Sequence, residues 1–242
     1  MKGMVRRKRI SLDLRSSRFE RSFDMVALDA PLEIFLNGER FTALLATPSM
    51  TEELVVGHLI SEGIVRSLST IEKVDLESNR AYVDLAGSDF PVGGALPRVE
   101  SNVKIDPKTI MSGVSALGEE AKIFPLTGGT HAAALYGYDG ELLIFVEDVG
   151  RHNTFDKAIG HALMNGKNLK ESFITSTARQ SGSMVSKVAR SGIPLIAARS
   201  APMDSGISIA ESTGITLICF AREDGLNIYT HPERVPTVFE TR

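Results

Sequence analysis

From His131 to the end of the chain, short apolar runs take turns with segments of helical period, and this alternation constrains the fold more than any other feature. HAAALYGYDGELLIFVE reads as a hairpin turning at Asp139-Gly140. A helix is predicted from about Asn153, then a strand ESFITS, a helix around SGSMVSKVARSG, a strand PLIAA, a helix around DSGISIAESTG and a strand ITLICFA. Strands joined by single helices imply βαβ crossovers, and so a largely parallel sheet with helices on its faces. In such a sheet ligands bind beyond the carboxyl ends of the strands. Three junctions, EDVGRHN, STARQSGS and ARSAPMDSG, are therefore expected on one edge. They carry Arg151, Arg179, Arg199, hydroxyls including Ser200, and helix N-termini with free N–H groups. That combination suits an anionic ligand, most simply a phosphate ester.

The stretch EDVGRHNTFDK packs acid, base, imidazole and amide groups into one strand-to-helix junction. Asn153 is expected as the N-cap of the helix, with Asp156 accepting from the local backbone. Phe155, Ala158, Ile159, Ala162 and Leu163 have the spacing of one buried face. Gly150 permits a tight turn or close approach of a ligand, leaving Arg151 and His152 to point outward. Asp148 either faces the ligand or pairs with Arg151 to hold the loop. In TGGTHAAAL, Gly128-Gly129 would let backbone approach a ligand and His131 could donate to it. The motif fits neither the P-loop nor the dinucleotide fingerprint, and a histidine opening an apolar strand can equally be structural.

The N-terminal half has a different rhythm. APLEIFLNGERFTALLATP is a predicted hairpin about Asn37-Gly38. Ser49 and Glu52 have capping-box spacing ahead of Val55, Val56, Leu59 and Ile60, and Gly63 can stop that helix. IEKVDL and AYVDLA read as strands about Ser78-Asn79, GSDFPVGGALP as a loop, and Asp106-Pro107 as a helix start before Ile110, Val114 and Leu117. This divides the chain into a basic, solvated, mobile arm (1–21), an α+β lobe (22–105) and an α/β domain (106–242). The net charge of −3 gives no general attraction to nucleic acid, and no apolar run is long enough to span a membrane. No secretory leader is read in the basic start. With the single cysteine, Cys219, this rules out an internal disulfide and fits a cytoplasmic protein.

EDVGRHNTFDK, TGGTHAAAL, SGIPLIAARSAP and FAREDGLNIYTHP, in this order and preceded by PLEIFLNG, LLATP and ELVVGHLISEGIV, resemble the formate dehydrogenase accessory family FdhD, the sulfur-carrier proteins. The resemblance covers nearly everything from Ala30 to Pro232. It implies a cytidine-deaminase-like mixed sheet with helices on both faces, without the deaminase zinc site, beside the smaller N-terminal lobe. It implies a protein, usually a homodimer, that takes sulfur from a cysteine desulfurase. The sulfur passes to the molybdenum bis(molybdopterin guanine dinucleotide) cofactor bound for formate dehydrogenase, and GDP or GTP is a surrogate ligand. It adds Phe220, Ala221, Arg222, Glu223, Asp224 and Gly225 as a cofactor-contacting segment to Gly128, Gly129, His131, Asp148, Gly150, Arg151, Asn153, Arg179 and Ser200. The family carries more positive charge where this chain has Gly225, and commonly Glu where it has Ser183. The family's paired cysteines fall on Ser112 and Ser115 of SGVSA. A hydroxyl cannot carry sulfane sulfur, which needs a thiolate, and Cys219 lies in an apolar run that predicts burial. The alternative reading is a nucleotide-binding domain or nucleotide hydrolase without a sulfur-carrier role. A zinc deaminase is disfavoured because His131-Ala132-Ala133 is not H-x-E and no P-C-x-x-C follows.

Overall fold

A computed structural model describes residues 3–87, 94–222 and 225–236. Strands β1 (Met4–Asp13) and β2 (Arg18–Ala27) form a two-stranded antiparallel hairpin. Within residues 1–21, expected as a solvated, mobile arm, residues 4–13 and 18–21 thus enter regular structure; Ile10, Leu12, Phe19 and Phe23 recur at strand spacing and fall on one face of the pairing. Asp13 holds the turn, its carboxylate accepting from the N–H groups of Arg15 and Ser16.

Next come β3 (Ala30–Leu36), β4 (Glu39–Ala46), α1 (Thr51–Ser61), β5 (Ile71–Glu77) and β6 (Arg80–Leu85). The four strands form a sheet of order β4-β3-β6-β5, with β3 and β6 parallel. The turn at Asn37-Gly38 is the primed type predicted, both residues having positive φ (48° and 87°). Ser49 and Glu52 do not build a capping box. Met50 occupies the N-cap in a left-handed conformation, with no side-chain cap. Val55, Val56, Leu59 and Ile60 are buried and Gly63 (φ 74°) ends the helix, as expected. The predicted loop GSDFPVGGALP lies partly outside the described residues.

The remainder comprises α2 (Pro107–Glu119), a short α3 (Phe124–Thr127), β7 (His131–Gly137), β8 (Leu142–Asp148), α4 (Arg151–Met164), β9 (Ser172–Ser176), α5 (Gly182–Ser191), β10 (Leu195–Ala198), α6 (Asp204–Thr213), β11 (Thr216–Arg222) and β12 (Gly225–Thr230). They build a six-stranded sheet of order β12-β11-β10-β9-β7-β8. The largely parallel sheet expected is a mixed one. Only β9, β10 and β11 pair in parallel, and β7 runs antiparallel to both β8 and β9. The Asp139-Gly140 hairpin reverses β7, so β8 regains the direction of β9–β11 and its end falls on the same edge as theirs.

Asp106 caps α2, accepting from Lys108 N at 2.7 Å. Ile110, Val114 and Leu117 pack on one face of the six-stranded sheet with Ala134, Phe173 and Ile218; full burial is worth about 1.5–3 kcal/mol for each large aliphatic side chain. On the other face, α4, α5 and α6 share one apolar cluster with α1 and the inner face of the four-stranded sheet. At the crossing of α1 and α4 the backbones touch. A Cβ added at Gly57 would collide with the Asp156 carbonyl oxygen, and one at Gly160 with that of Glu53. Among the described residues no helix is long and apolar enough to cross a membrane.

Candidate functional site

The junction that drew attention in the sequence turns most of its chemistry inward. Asp148, fully buried at the end of β8, accepts four hydrogen bonds. Oδ2 receives Lys157 Nζ (2.5 Å) and Thr47 N (3.1 Å); Oδ1 receives Gly150 N (2.8 Å) and Asn153 Nδ2 (2.8 Å). Lys157 also donates to Thr47 O, and Asn153 to Leu45 O. Asp148 therefore pairs with Lys157 and not with Arg151, and Asn153 is no N-cap, since that place is held by Gly150. The ring of donors around Asp148 outcompetes an exposed guanidinium. Asp156 likewise does not serve the local backbone. It lies fully buried between Lys187 Nζ (2.8 and 3.0 Å), Ser61 Oγ (2.6 Å) and His58 Nδ1 (3.1 Å). Burial alone would raise its pKa, but the Lys187 ammonium and His58 hold it below the usual aspartate range. Two buried Asp–Lys pairs thus bolt α4 to β8 and α5, and the hydrogen bonds around them tie it to β4 and α1.

With the acids committed to this framework, the surface left at the sheet edge is basic. The start of β7 and the ends of β8, β9 and β10 meet around a cavity of about 580 Å³, lined by Thr130, His131, Val149, Thr177 and Arg199. Its remaining wall comes from the end of α2 (Leu117, Gly118), from Ala121 and Phe124, and from Gly128-Gly129. Gly128 adopts the left-handed conformation (φ 64°) that ends α3. Gly129 lacks a side chain because a Cβ there would press on Ala27 at 2.9 Å. These two glycines thus have structural reasons as well as their place on the wall. His131 is half-buried, and burial together with the Arg151 charge lowers its pKa, favouring neutral imidazole. A neutral ring can donate from one nitrogen and accept at the other.

Of the other residues singled out, Arg151 is exposed at the first turn of α4, beside a shallow concavity lined by Gly150, Val149 and Gly129. Arg179 is exposed after β9. Ser200 accepts Phe220 N through its carbonyl, and Arg222 Nε donates to Arg199 O (2.9 Å) with its guanidinium 5.7 Å from the Phe220 ring centre. Phe220 has φ 52°, unusual for an aromatic residue, and is 39% exposed. Ala221 is buried, Gly225 opens β12, and Glu223 and Asp224 lie outside the described residues. Asp148 and Asn153 support the edge from below without reaching the cavity wall.

Ser112 and Ser115 are exposed on the middle of α2. Ser112 lines a separate hollow with Lys108, Thr109, Tyr136 and Asp139, while Gly118, six residues on and about 9 Å along the axis, reaches the main cavity. Cys219 is fully buried, and burial pushes its thiol up to about 12. His152, half-buried, places Nε2 3.0 Å from Ser183 Oγ.

Glu147 was not singled out in the sequence. Its carboxylate accepts from the N–H groups of Lys122, Ile123 and Phe124 at 2.7–2.9 Å and from Thr130 Oγ1 at 3.0 Å, fixing the wall opposite Arg199. A carboxylate closing an apolar strand was the available signal. Thr177 and Phe124 were also missed, having no motif to mark them.

The chain matches the model of the FdhD/NarQ family over residues 27–95 and 91–236. It is 37% identical to a sulfur carrier protein FdhD of Saccharolobus solfataricus, over 96% of this chain and 99% of the relative. It is 33% identical to one of Geobacillus kaustophilus, over 97% and 99%. A crystal structure from Desulfotalea psychrophila, assigned as a formate dehydrogenase accessory protein, superposes with a TM-score of 0.84 at 26% identity, covering 97% of this chain and all of that one.

Proposed function

This chain belongs to the FdhD/NarQ family, and on that premise we propose that it is a cytoplasmic accessory protein of formate dehydrogenase. In this reading it binds the guanine-nucleotide end of the molybdenum bis(molybdopterin guanine dinucleotide) cofactor in the cavity at the sheet edge. The cofactor is cargo. The observation that carries the reading is the convergence of Arg199, His131, Thr177 and Thr130 on one cavity at four strand ends, with Arg222 bonded to the Arg199 carbonyl and the Arg151 charge felt at His131. Guanidinium groups hold diphosphate oxygens bidentately, and neutral His131 and the threonine hydroxyls supply directional hydrogen bonds. Phe124, 52% exposed on the cavity wall, offers apolar surface to a base.

The relatives are named sulfur carriers, but this chain does not hold the sulfur itself. Ser112 and Ser115 have no thiol, and Cys219 is buried with its thiolate strongly disfavoured. It presents the cofactor, and a cysteine desulfurase or another partner supplies the thiol chemistry. Thermal denaturation with guanine and adenine nucleotides tests the binding. GDP at a hundredfold excess over its Kd should stabilise the fold by about 2.7 kcal/mol, with ADP giving less. No response to any guanine nucleotide would overturn the proposal.

A further inference from the structure

A helix commonly ends by folding the next residues back, so that their N–H groups cap its last carbonyls through a residue of left-handed conformation. α2 does not end this way. None of the residues from Glu119 to Ile123 has a positive φ, and the one backbone bond across the end runs from Glu120 N to Ala116 O, at 2.9 Å. The N–H groups that could supply a cap are engaged elsewhere. Those of Lys122, Ile123 and Phe124 all donate to the Glu147 carboxylate. The carbonyl oxygens of Gly118, Glu119 and Glu120 therefore receive no backbone N–H among the described residues. They form a group of acceptors at the negative end of the helix dipole.

This turn belongs to the wall of the sheet-edge cavity. Gly118 lines the cavity, is exposed, and has no side chain to cover its backbone; Ala121 lines it just beyond. A donor stands beside these acceptors, since a Cβ built on Gly118 would lie 3.7 Å from Arg199 Nη1. Phe124, which also lines the cavity, adds a flat apolar face. One donor followed by acceptors, near an aromatic ring, complements a flat heterocycle that presents one acceptor followed by donors. Guanine does so with O6, N1–H and its 2-amino group, and arginine is a frequent donor to guanine O6. Adenine presents an amino donor and then the bare N1 at the same places, setting donor against donor and acceptor against acceptor.

We propose, on the reading of this cavity as a guanine-nucleotide site, that the last turn of α2 and Arg199 together read the Watson–Crick edge of guanine, and that Glu147 is the positioning residue that keeps the carbonyls of that turn open for it. The diphosphate then lies toward His131 and Thr177, away from the negative helix end. Calorimetric titration of the full chain with GDP, inosine diphosphate and ADP tests the assignment. Inosine diphosphate, which lacks the 2-amino group, should bind about tenfold more weakly than GDP, and ADP about a hundredfold more weakly. Glu147→Gln replaces one carboxylate oxygen by an amide donor and releases some of the N–H groups of residues 122–124 toward α2. In that variant the preference for GDP over inosine diphosphate should fall below about threefold, a ratio that lost stability alone would not move, with circular dichroism confirming the fold. GDP and inosine diphosphate binding the parent equally would overturn the base-reading role while leaving the cavity a nucleotide site. An unchanged ratio in Glu147→Gln would overturn the role of Glu147, and a parent that binds no GDP would overturn both the assignment and the reading beneath it.

Discussion

Replacing Asp148 by Asn removes one charge and exchanges an acceptor for a donor at the most crowded polar point of the fold. Four donors converge on that carboxylate, and Lys157, with no exposed surface, keeps only Thr47 O as a partner. Breaking a buried pair on one side costs about 3–5 kcal/mol, because the remaining charge stays desolvated. Against a total stability of roughly 5–15 kcal/mol this is a large share. It corresponds to a fall in Tm of roughly 6–20 °C for a chain of this size. The chain has no tryptophan, so urea denaturation followed by far-UV circular dichroism is the suitable assay. Asp148→Asn combined with Lys157→Met should recover at least half of the loss, since replacing both partners removes the stranded charge. A single variant within 1 kcal/mol of the parent would refute the argument. So would a double variant no better than the single, because the loss would then not come from an unpaired lysine.

Arg199→Ala and Arg151→Ala should each weaken GDP binding by roughly 1–3 kcal/mol, the scale of a charge-assisted hydrogen bond, in calorimetric titration; deleting the residues before Phe19 should leave nucleotide affinity unchanged. The parent chain should accept no persulfide from a cysteine desulfurase, and thiol reagents should label Cys219 only after unfolding. Ser112→Cys with Ser115→Cys should gain persulfide on exposed α2, located by peptide mass spectrometry; sulfur found on Cys219 of the parent would refute the burial argument. The depressed pKa of Asp156 contributes stability that is present above the ordinary aspartate value of about 3.9 and is lost as pH falls through its folded pKa. Asp156→Asn should flatten that acid limb of a stability–pH profile, and an unchanged limb would remove Asp156 as its source.

Most elements of the fold could be read from local pattern, because the Asn37-Gly38 and Asp139-Gly140 turns, the Asp106-Pro107 start and the apolar stripes are written in adjacent residues. The direction of β7 could not, since strand pairing is a long-range property and a hairpin can enter a sheet either way. The first strands were passed over because six exposed cations masked their alternation. At the site, edge and basic character followed from the positions of Arg151, Arg179 and Arg199. Asp156 was misassigned because its partners, His58, Ser61 and Lys187, are far away in sequence; Asp148 was misassigned because nothing in the loop motif shows that the first turns of α4 fold Asn153 and Lys157 back onto it, or that Thr47 closes the site from a distant segment. A carboxylate in a loop motif looks the same whether it faces solvent or a buried ammonium.

The glycine crossing of α1 and α4 has a mechanical consequence. Where side chains separate two helices, rotamer changes absorb a displacement; here carbonyl meets glycine, so there is nothing soft between them. The crossing behaves as a fulcrum. A load on the four-stranded sheet must tilt α4 as a rigid beam, and the end of that beam carries Arg151 and His152 beside the cavity. A displacement of α1 therefore passes to α4, whose first turn carries Arg151 and His152, with no side chain between the two backbones to absorb it.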